Sequence, residues 1–300
     1  MKVYYPELIA PQRMVGRREF DFSKHVVVMA IVNRTPNSGL DPRTSIELGD
    51  AVATAERALG EGAEWIDIGG RSFRADQPPL TAQEEIERIT PVISSIREIT
   101  DAVISVDTHL VEVARAARTA GADVLNDTNG LRSPGIAEFV AESGMSVVIS
   151  HSLAGPHSAV SRPSYEDVTA EVAAFLRERV AYALDCGVQP EKIFIDPGHD
   201  LNKNTSDSLE LTRKLAEITA IGFPTVVAVS NKHFIRESLN VERGAAELKE
   251  GTIAANTMCV YQGARIVRVH DVEANVAAMR NVEALLTSIF RAPSRTEVKP

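Results

Sequence analysis

The chain has 300 residues, 44% of them hydrophobic, enough to fill one enzyme-sized core, and a formal net charge of −9. That charge argues against nucleic acid or an anionic membrane as partner, because phosphate binding needs a basic face. No apolar run is long enough to span a bilayer and the charged N-terminus lacks the apolar core of a signal peptide; Cys186 and Cys259 lie far apart without metal or redox spacing, which fits a reducing cytoplasm.

Residues 1–24 are expected to be an N-terminal extension, in which alternating apolar and polar residues predict a short hairpin closing the far end of the domain formed by the rest of the chain. Residues 25–290 then repeat one pattern eight times: an apolar, β-branched run ends in a polar residue and gives way to a stretch of helical periodicity. In chain order the runs are VVVMAIVN, ending at Asn33; EWIDIGGR, ending at Arg71; VISVDT, with Asp107; and VLNDTN, with Asn126 and Asp127. The second half continues with SVVISHS, carrying His151; KIFIDPGH, carrying Asp196; TVVAVSNK, ending at Lys232; and RIVRVHD, with Arg268 and His270. Among the intervening helices, TSIELGDAVATAERALGEGA places Leu48, Val52, Ala55 and Leu59 on one stripe. DSLELTRKLAEITAIGFP predicts one helix ended by Gly222 and Pro224, and GTIAANTMCVYQGAR one that begins at Gly251 and whose small residues permit close packing on strands. Eight strand–helix units predict an α/β protein, a single (β/α)8 TIM barrel, with candidate lid loops at 35–44, 72–79 and 153–163. Residues 291–300 have no apolar period and are expected to be a flexible tail.

Strand ends of a barrel converge on one axis, where active sites form. Asp107, Asn126 and Asp196 stand at three such ends. Carboxylates paired with an amide can accept from and donate to a flat heterocycle carrying ring N–H and amino groups; capping of the next helix is the alternative for each acid alone. Asp67 and Asp123 fall earlier in their runs, so packing roles are expected for them. Lys232, Arg268 and His270 supply positive charge at the last two strand ends, the sector where barrels hold phosphate. Arginine can grip an oxyanion with two bonds, unless a salt bridge to Asp271 or another acid takes it. Asn33 offers a neutral oxygen to Mg²⁺. His109, His151, His157 and His199 lack metalloenzyme spacing, and no zinc site is expected.

The segments AIVNRTPNSGLD, EGAEWIDIGGRSFR, ISVDT, GADVLND, FIDPG, VSNKHFI and GARIVRVHDV, in this order and spacing, resemble the dihydropteroate synthases over nearly the whole chain after Lys24. The resemblance implies a (β/α)8 homodimer that joins a dihydropterin methyl pyrophosphate to para-aminobenzoate with Mg²⁺ assistance and releases pyrophosphate. It makes Asp107, Asn126, Asp196 and Lys232 the pterin contacts, and Asn33, Arg74, Arg268 and His270 the pyrophosphate contacts, with Asn33 also on the metal. Catalysis falls to Asp41, stabilising the cationic pterin, together with Lys232, Arg268 and His270.

The match is uneven. Where the family has TPDSF this chain has TPNSG, with Asn37 and Gly39; STRPG becomes SFRAD, with Phe73 and Ala75; and SRKS becomes SNKH, with Asn231 and His233. A phenylalanine ahead of a glycine–lysine pair becomes Leu201. In the family these positions form much of the aminobenzoate pocket and its lids. The pterin walls change too: Thr128 stands for isoleucine, Ser150 for methionine and Ala228 for glycine. Losing a few wall contacts at about 1 kcal/mol each lowers affinity by about ten- to a thousandfold. The reading is a divergent paralogue, a pterin-site protein whose ordinary synthase activity is weak or absent. A working synthase with unusual loops and a pterin-dependent methyltransferase domain are the alternatives.

Overall fold

In the computed structural model, which describes residues 4–34, 47–71, 80–155 and 163–287, the chain opens with an antiparallel pair, β1 (Gln12–Val15) and β2 (Arg18–Asp21). The eight apolar runs then form β3 (Val27–Asn33), β4 (Trp65–Gly69), β5 (Val103–Asp107), β6 (Val124–Asp127), β7 (Ser146–Ser150), β8 (Ile193–Asp196), β9 (Val226–Val227) and β10 (Ile266–Val269). These pair in parallel in the order β8-β7-β6-β5-β4-β3-β10-β9. A further parallel bridge between Ile195 and Thr225 joins the two ends, so the sheet closes into a barrel. Helices α1 (Leu48–Gly60), α2 (Ala82–Ile99), α3 (Val111–Ala120), α4 (Ile136–Ser143), α5 (Val168–Asp185), α6 (Thr205–Arg213), α7 (Ala216–Thr219), α8 (His233–Leu239), α9 (Glu247–Tyr261) and α10 (Val272–Thr287) follow the strands. The fold is the α/β barrel that the repeated pattern predicts.

Period-two alternation divides the buried side chains into two cores. Outward residues such as Val28, Ile66, Ile104, Leu125 and Val147 pack against the helices. Inward residues near the strand starts, Val27, Met29, Trp65, Val103, Val124, Val148, Phe194 and Ile266, meet Phe20 and Phe22 from the hairpin. Trp65 and Phe22 each set an edge on Phe194, at ring-centre distances of 5.3 and 5.4 Å. Burying each ring stabilises the fold by about 1.5–3 kcal/mol. This plug fills the N-terminal half of the barrel, leaving the polar inward residues at the strand ends around the opposite mouth.

Four local expectations are corrected. The buried stripe of α1 is Ala51, Ala55 and Ala58, whereas Leu48 is 38% exposed; small side chains let this helix lie closer to the strands. The helix expected over 207–224 is two, α6 and α7, because the chain leaves helical geometry at Lys214. The helix expected from Gly251 starts at Glu247, and Gly251 lies inside it, where a Cβ would come within 2.7 Å of Ile235 and 2.8 Å of Leu239. Its close packing is therefore against α8. The run ending at Lys232 contributes only Val226–Val227 to the sheet. The tail 291–300 lies outside the described residues.

Candidate functional site

Register builds the barrel mouth. Asn33, Gly69, Asp107 and Asn126 are successive partners across β3, β4, β5 and β6, and alternation turns this rung inward together. A Cβ on Gly69 would come within 2.9 Å of the Asn33 Oδ1 and 3.8 Å of the Asp107 Cβ. The glycine therefore keeps open the gap between the amide and the carboxylate.

β10 sends Arg268 into this mouth. Its Nε donates to Asp67 Oδ2 at 2.6 Å and an Nη2 to Asp107 Oδ2 at 3.3 Å, while Asn126 Nδ2 donates to the same Asp67 oxygen at 3.2 Å. Asp67 is fully buried and Asp107 nearly so. One guanidinium cannot neutralise two buried carboxylates, and Asp107 makes the longer bond. Burial pushes the Asp107 carboxyl up to about 8; Arg268 opposes the shift and Asp67 adds to it. Burial disfavours the Arg268 charge, but Asp67 and Asp107 outweigh it and hold the guanidinium above its ordinary range. Arg268 thus stays a cation beside a carboxyl that burial pushes up. The second oxygen of Asp67 and the Ser105 and Ser150 hydroxyls have no hydrogen-bond partner among the described residues.

At the end of β8, Asp196 Oδ1 accepts the Gly198 N–H at 2.7 Å. Burial raises this carboxyl above its ordinary value, with the Gly198 N–H, Lys232 and Arg268 opposing. Gly198 has φ 69°, and a Cβ there would lie 1.9 Å from the His151 carbonyl oxygen, so only glycine fits. Lys203 is buried beneath this loop. Its Nζ donates to Gly198 O at 2.8 Å, Leu201 O at 3.2 Å and His151 Nδ1 at 2.9 Å, three acceptors for three ammonium hydrogens. Burial pulls Lys203 down to about 7. Burial, Lys203 and Arg132 push His151 to about 2, so its ring is the neutral acceptor.

Lys232 ends no strand; it is the N-cap residue of α8, reaching back so that Nζ donates to His199 O at 2.7 Å. Burial lowers its pKa, opposed by Asp200 and Asp196. His270 is anchored on Ser230, whose hydroxyl lies 2.9 Å from the ring Nδ1 and accepts the His270 N–H at 3.2 Å.

Of the expected site residues, Asp107, Asn126 and Arg268 thus join one hydrogen-bonded network through Asp67, and Asn33 shares their rung. Asp196 and Lys232 act electrostatically on each other and on Arg268. The salt bridge weighed for Arg268 does form, to Asp67 and Asp107 rather than to Asp271. Asp41 and Arg74 lie outside the described residues, as do Asn37, Gly39, Phe73, Ala75 and His157. Asp123 keeps its packing role, accepting Arg97 and the Ile104 N–H. Asp67 does more than pack, since it fixes both Arg268 and Asn126. Its signal in the sequence is a carboxylate inside the apolar strand WIDIG, which can be buried only with a partner. Thr128 and Ser150, both expected on the pterin walls, keep buried hydroxyls without a partner among the described residues.

The model of the pterin binding enzyme family matches residues 29–270. The chain is 39% identical to the dihydropteroate synthase of Escherichia coli over 264 residues, covering 88% of this chain and 93% of that protein. It is also 39% identical, over 282 residues, to the inactive dihydropteroate synthase 2 of Mycobacterium leprae, covering 90% of this chain and 93% of that protein. The Xanthomonas albilineans dihydropteroate synthase solved with 4-aminobenzoic acid superposes with a TM-score of 0.83 at 36% identity, covering 92% of this chain and 98% of the other. With an eight-stranded barrel, a polar mouth and relatives aligned along nearly their full length, this chain belongs to the dihydropteroate synthase family of pterin-binding enzymes.

Proposed function

We propose that this chain binds a dihydropterin pyrophosphate or a related polyanion in the barrel mouth but carries out the ordinary condensation with 4-aminobenzoate weakly or not at all. The carrying observation is the Asp67–Arg268–Asp107 network with Asn126 on the Gly69 rung. It offers acids and an amide to the pterin ring at Asp107, Asn126 and Asp196, and the Lys232 ammonium beside them. Arg268 and His270, with Arg74, would face the pyrophosphate. In this reading these groups stabilise the departing pyrophosphate, and Asp41 the positive charge left on carbon.

Magnesium fits as an ion carried in by the phosphates. Among the described residues no group of three His, Cys, Asp or Glu side chains is placed to hold a metal, whereas the Asn33 Oδ1 is a neutral oxygen at the mouth. Asn33 would hold it, and the bound ion would offset charge on the leaving group. The proposal includes a homodimer and a cytoplasmic location, which the free thiols of Cys186 and Cys259 suit. No helix among the described residues is long and apolar enough to cross a membrane.

Low activity follows from the changed second-reactant subsite, at Leu201, Asn231 and His233 and in the two first loops, and one relative of equal identity is an inactive synthase. The identity to the Escherichia coli synthase favours the second reading, an active synthase in folate biosynthesis. Titration calorimetry with dihydropterin pyrophosphate and Mg²⁺ tests the site. Binding should be measurable, and Asp107→Ala with Asn126→Ala should abolish it. Unchanged binding by that double variant would move the ligand elsewhere.

A further inference from the structure

The loops after β7 and β8 meet at three points: Gly198 against the His151 carbonyl, Lys203 against the His151 ring, and Asn202. Asn202 Oδ1 accepts the Ser152 hydroxyl at 2.6 Å and the Ala154 N–H at 3.1 Å, and its backbone carbonyl accepts the Tyr165 hydroxyl at 3.0 Å. Ser152 to Ala154 and Tyr165 lie where the chain enters and leaves the loop of residues 153–163, so one residue holds both ends. From the other side Arg132, in the loop after β6, donates to the carbonyls of Ser152 at 2.8 Å and of Leu153 and Ala154 at 3.3 Å. Backbone groups outside any strand or helix thus find their partners in two side chains. Asn202 holds φ 50°, a left-handed angle that glycine adopts most easily. The resemblance puts the glycine of a glycine–lysine pair at this position. A glycine would make the same turn but accept neither Ser152 nor Ala154. The turn needs no side chain here, whereas the contact between the loops does.

We propose that Asn202 is a positioning residue: it fastens the loop after β7 to the loop after β8, so that the Ser150–Asp196 side of the mouth is set before a ligand arrives. Ser150 and Asp196 are register partners, and each loop leaves directly from one of them. A ligand then binds without having to order these segments itself, which raises its affinity. The fastening stands on the bonds above, and its effect on a pterin rests on the pterin-site reading. A bond that only satisfied loop backbone would add stability and leave ligand affinity unmoved.

The test uses the full-length protein, with hydrogen exchange read at the Ala154 amide by NMR and calorimetric titration of 6-hydroxymethyl-7,8-dihydropterin. Asn202→Gly suits φ 50° without strain, so the fold should persist. In this variant the Ala154 amide should exchange at least about tenfold faster, and the pterin should bind at least about tenfold more weakly. Saturating pterin should slow that exchange in the variant and change it little in the wild type, where the segment is already held. Asn202→Asp keeps an acceptor in a residue that tolerates the left-handed angle, and should return both readouts toward wild type. Unchanged Ala154 exchange in the glycine variant would overturn the fastening. Faster exchange with unchanged pterin affinity would overturn the positioning role. Failure of the wild type to bind the pterin would overturn the pterin reading and the positioning role with it, while exchange in the free proteins would still decide the fastening.

Discussion

Binding a pterin should release a proton from Asp107. In the free protein Arg268 bridges two buried carboxylates, and burial holds the Asp107 carboxyl at about 8. At pH 7 such a group is about nine-tenths protonated. A pterin presenting ring N–H and amino donors pairs with the ionised carboxylate, so binding draws the proton off. The sign follows: affinity rises with pH, about tenfold per unit below 8, and levels off above it, because the competing proton has then left. The uncharged probe 6-hydroxymethyl-7,8-dihydropterin keeps phosphate ionisation out of the measurement. Calorimetry at pH 7 in two buffers of different ionisation enthalpy should report about 0.9 proton released per site. Asp107→Asn should remove most of that release and flatten the pH profile. The same apparent enthalpy in both buffers, or an undiminished release in the variant, would refute the charge assignment of the network.

Pyrophosphate with Mg²⁺ should raise the wild-type melting temperature, and Arg268→Ala should erase that increment; equal protection of both proteins would place the anion elsewhere. Gly198→Ala should cost more than about 3 kcal/mol in urea unfolding, since its Cβ would meet the His151 carbonyl at 1.9 Å in a left-handed conformation. A loss below about 1 kcal/mol would contradict the close approach of the two loops. Gly69→Ala should leave stability within about 1 kcal/mol, because its Cβ crowds the movable end of Asn33 and makes only ordinary contact with Asp107. Pyrophosphate affinity should nevertheless fall as Asn33 is displaced, and unchanged affinity would remove Asn33 from the anion site.

The barrel is legible in the sequence because eight Val/Ile-rich runs carry their own strand signal, and their polar ends mark the mouth. Asp107, Asn126, Asp196 and Arg268 can be grouped on that basis. Their partners cannot, since pairing Arg268 with Asp67 depends on the register between β10, β3 and β4, set by the whole sheet. For that reason Asp67 reads as packing in the sequence alone. The Ala51–Ala55–Ala58 face of α1 escapes a hydrophobic pattern because side-chain size, not hydrophobicity, decides how closely a helix approaches strands. Lys232 reads as a strand end because VVAVS continues the apolar pattern, although only Val226–Val227 join the sheet. Asp200 leaves no periodic signal at all; its left-handed backbone angle and its bond to the start of α8 appear only in the fold.

The site is proposed to keep its polar pterin contacts beside altered pterin walls and an altered nucleophile half. The most direct measurement is turnover of dihydropterin pyrophosphate with 4-aminobenzoate and Mg²⁺, run beside the Escherichia coli synthase on a preparation already shown to bind the pterin. Misplacing a second reactant removes several kcal/mol of barrier lowering, so the predicted rate is at least about a hundredfold lower than that of the comparison enzyme. Restoring the family residues in the two loops together with His233→Ser should recover part of it. Turnover within about tenfold of the Escherichia coli enzyme, with a low KM for 4-aminobenzoate, would contradict the claim and make this chain a working synthase.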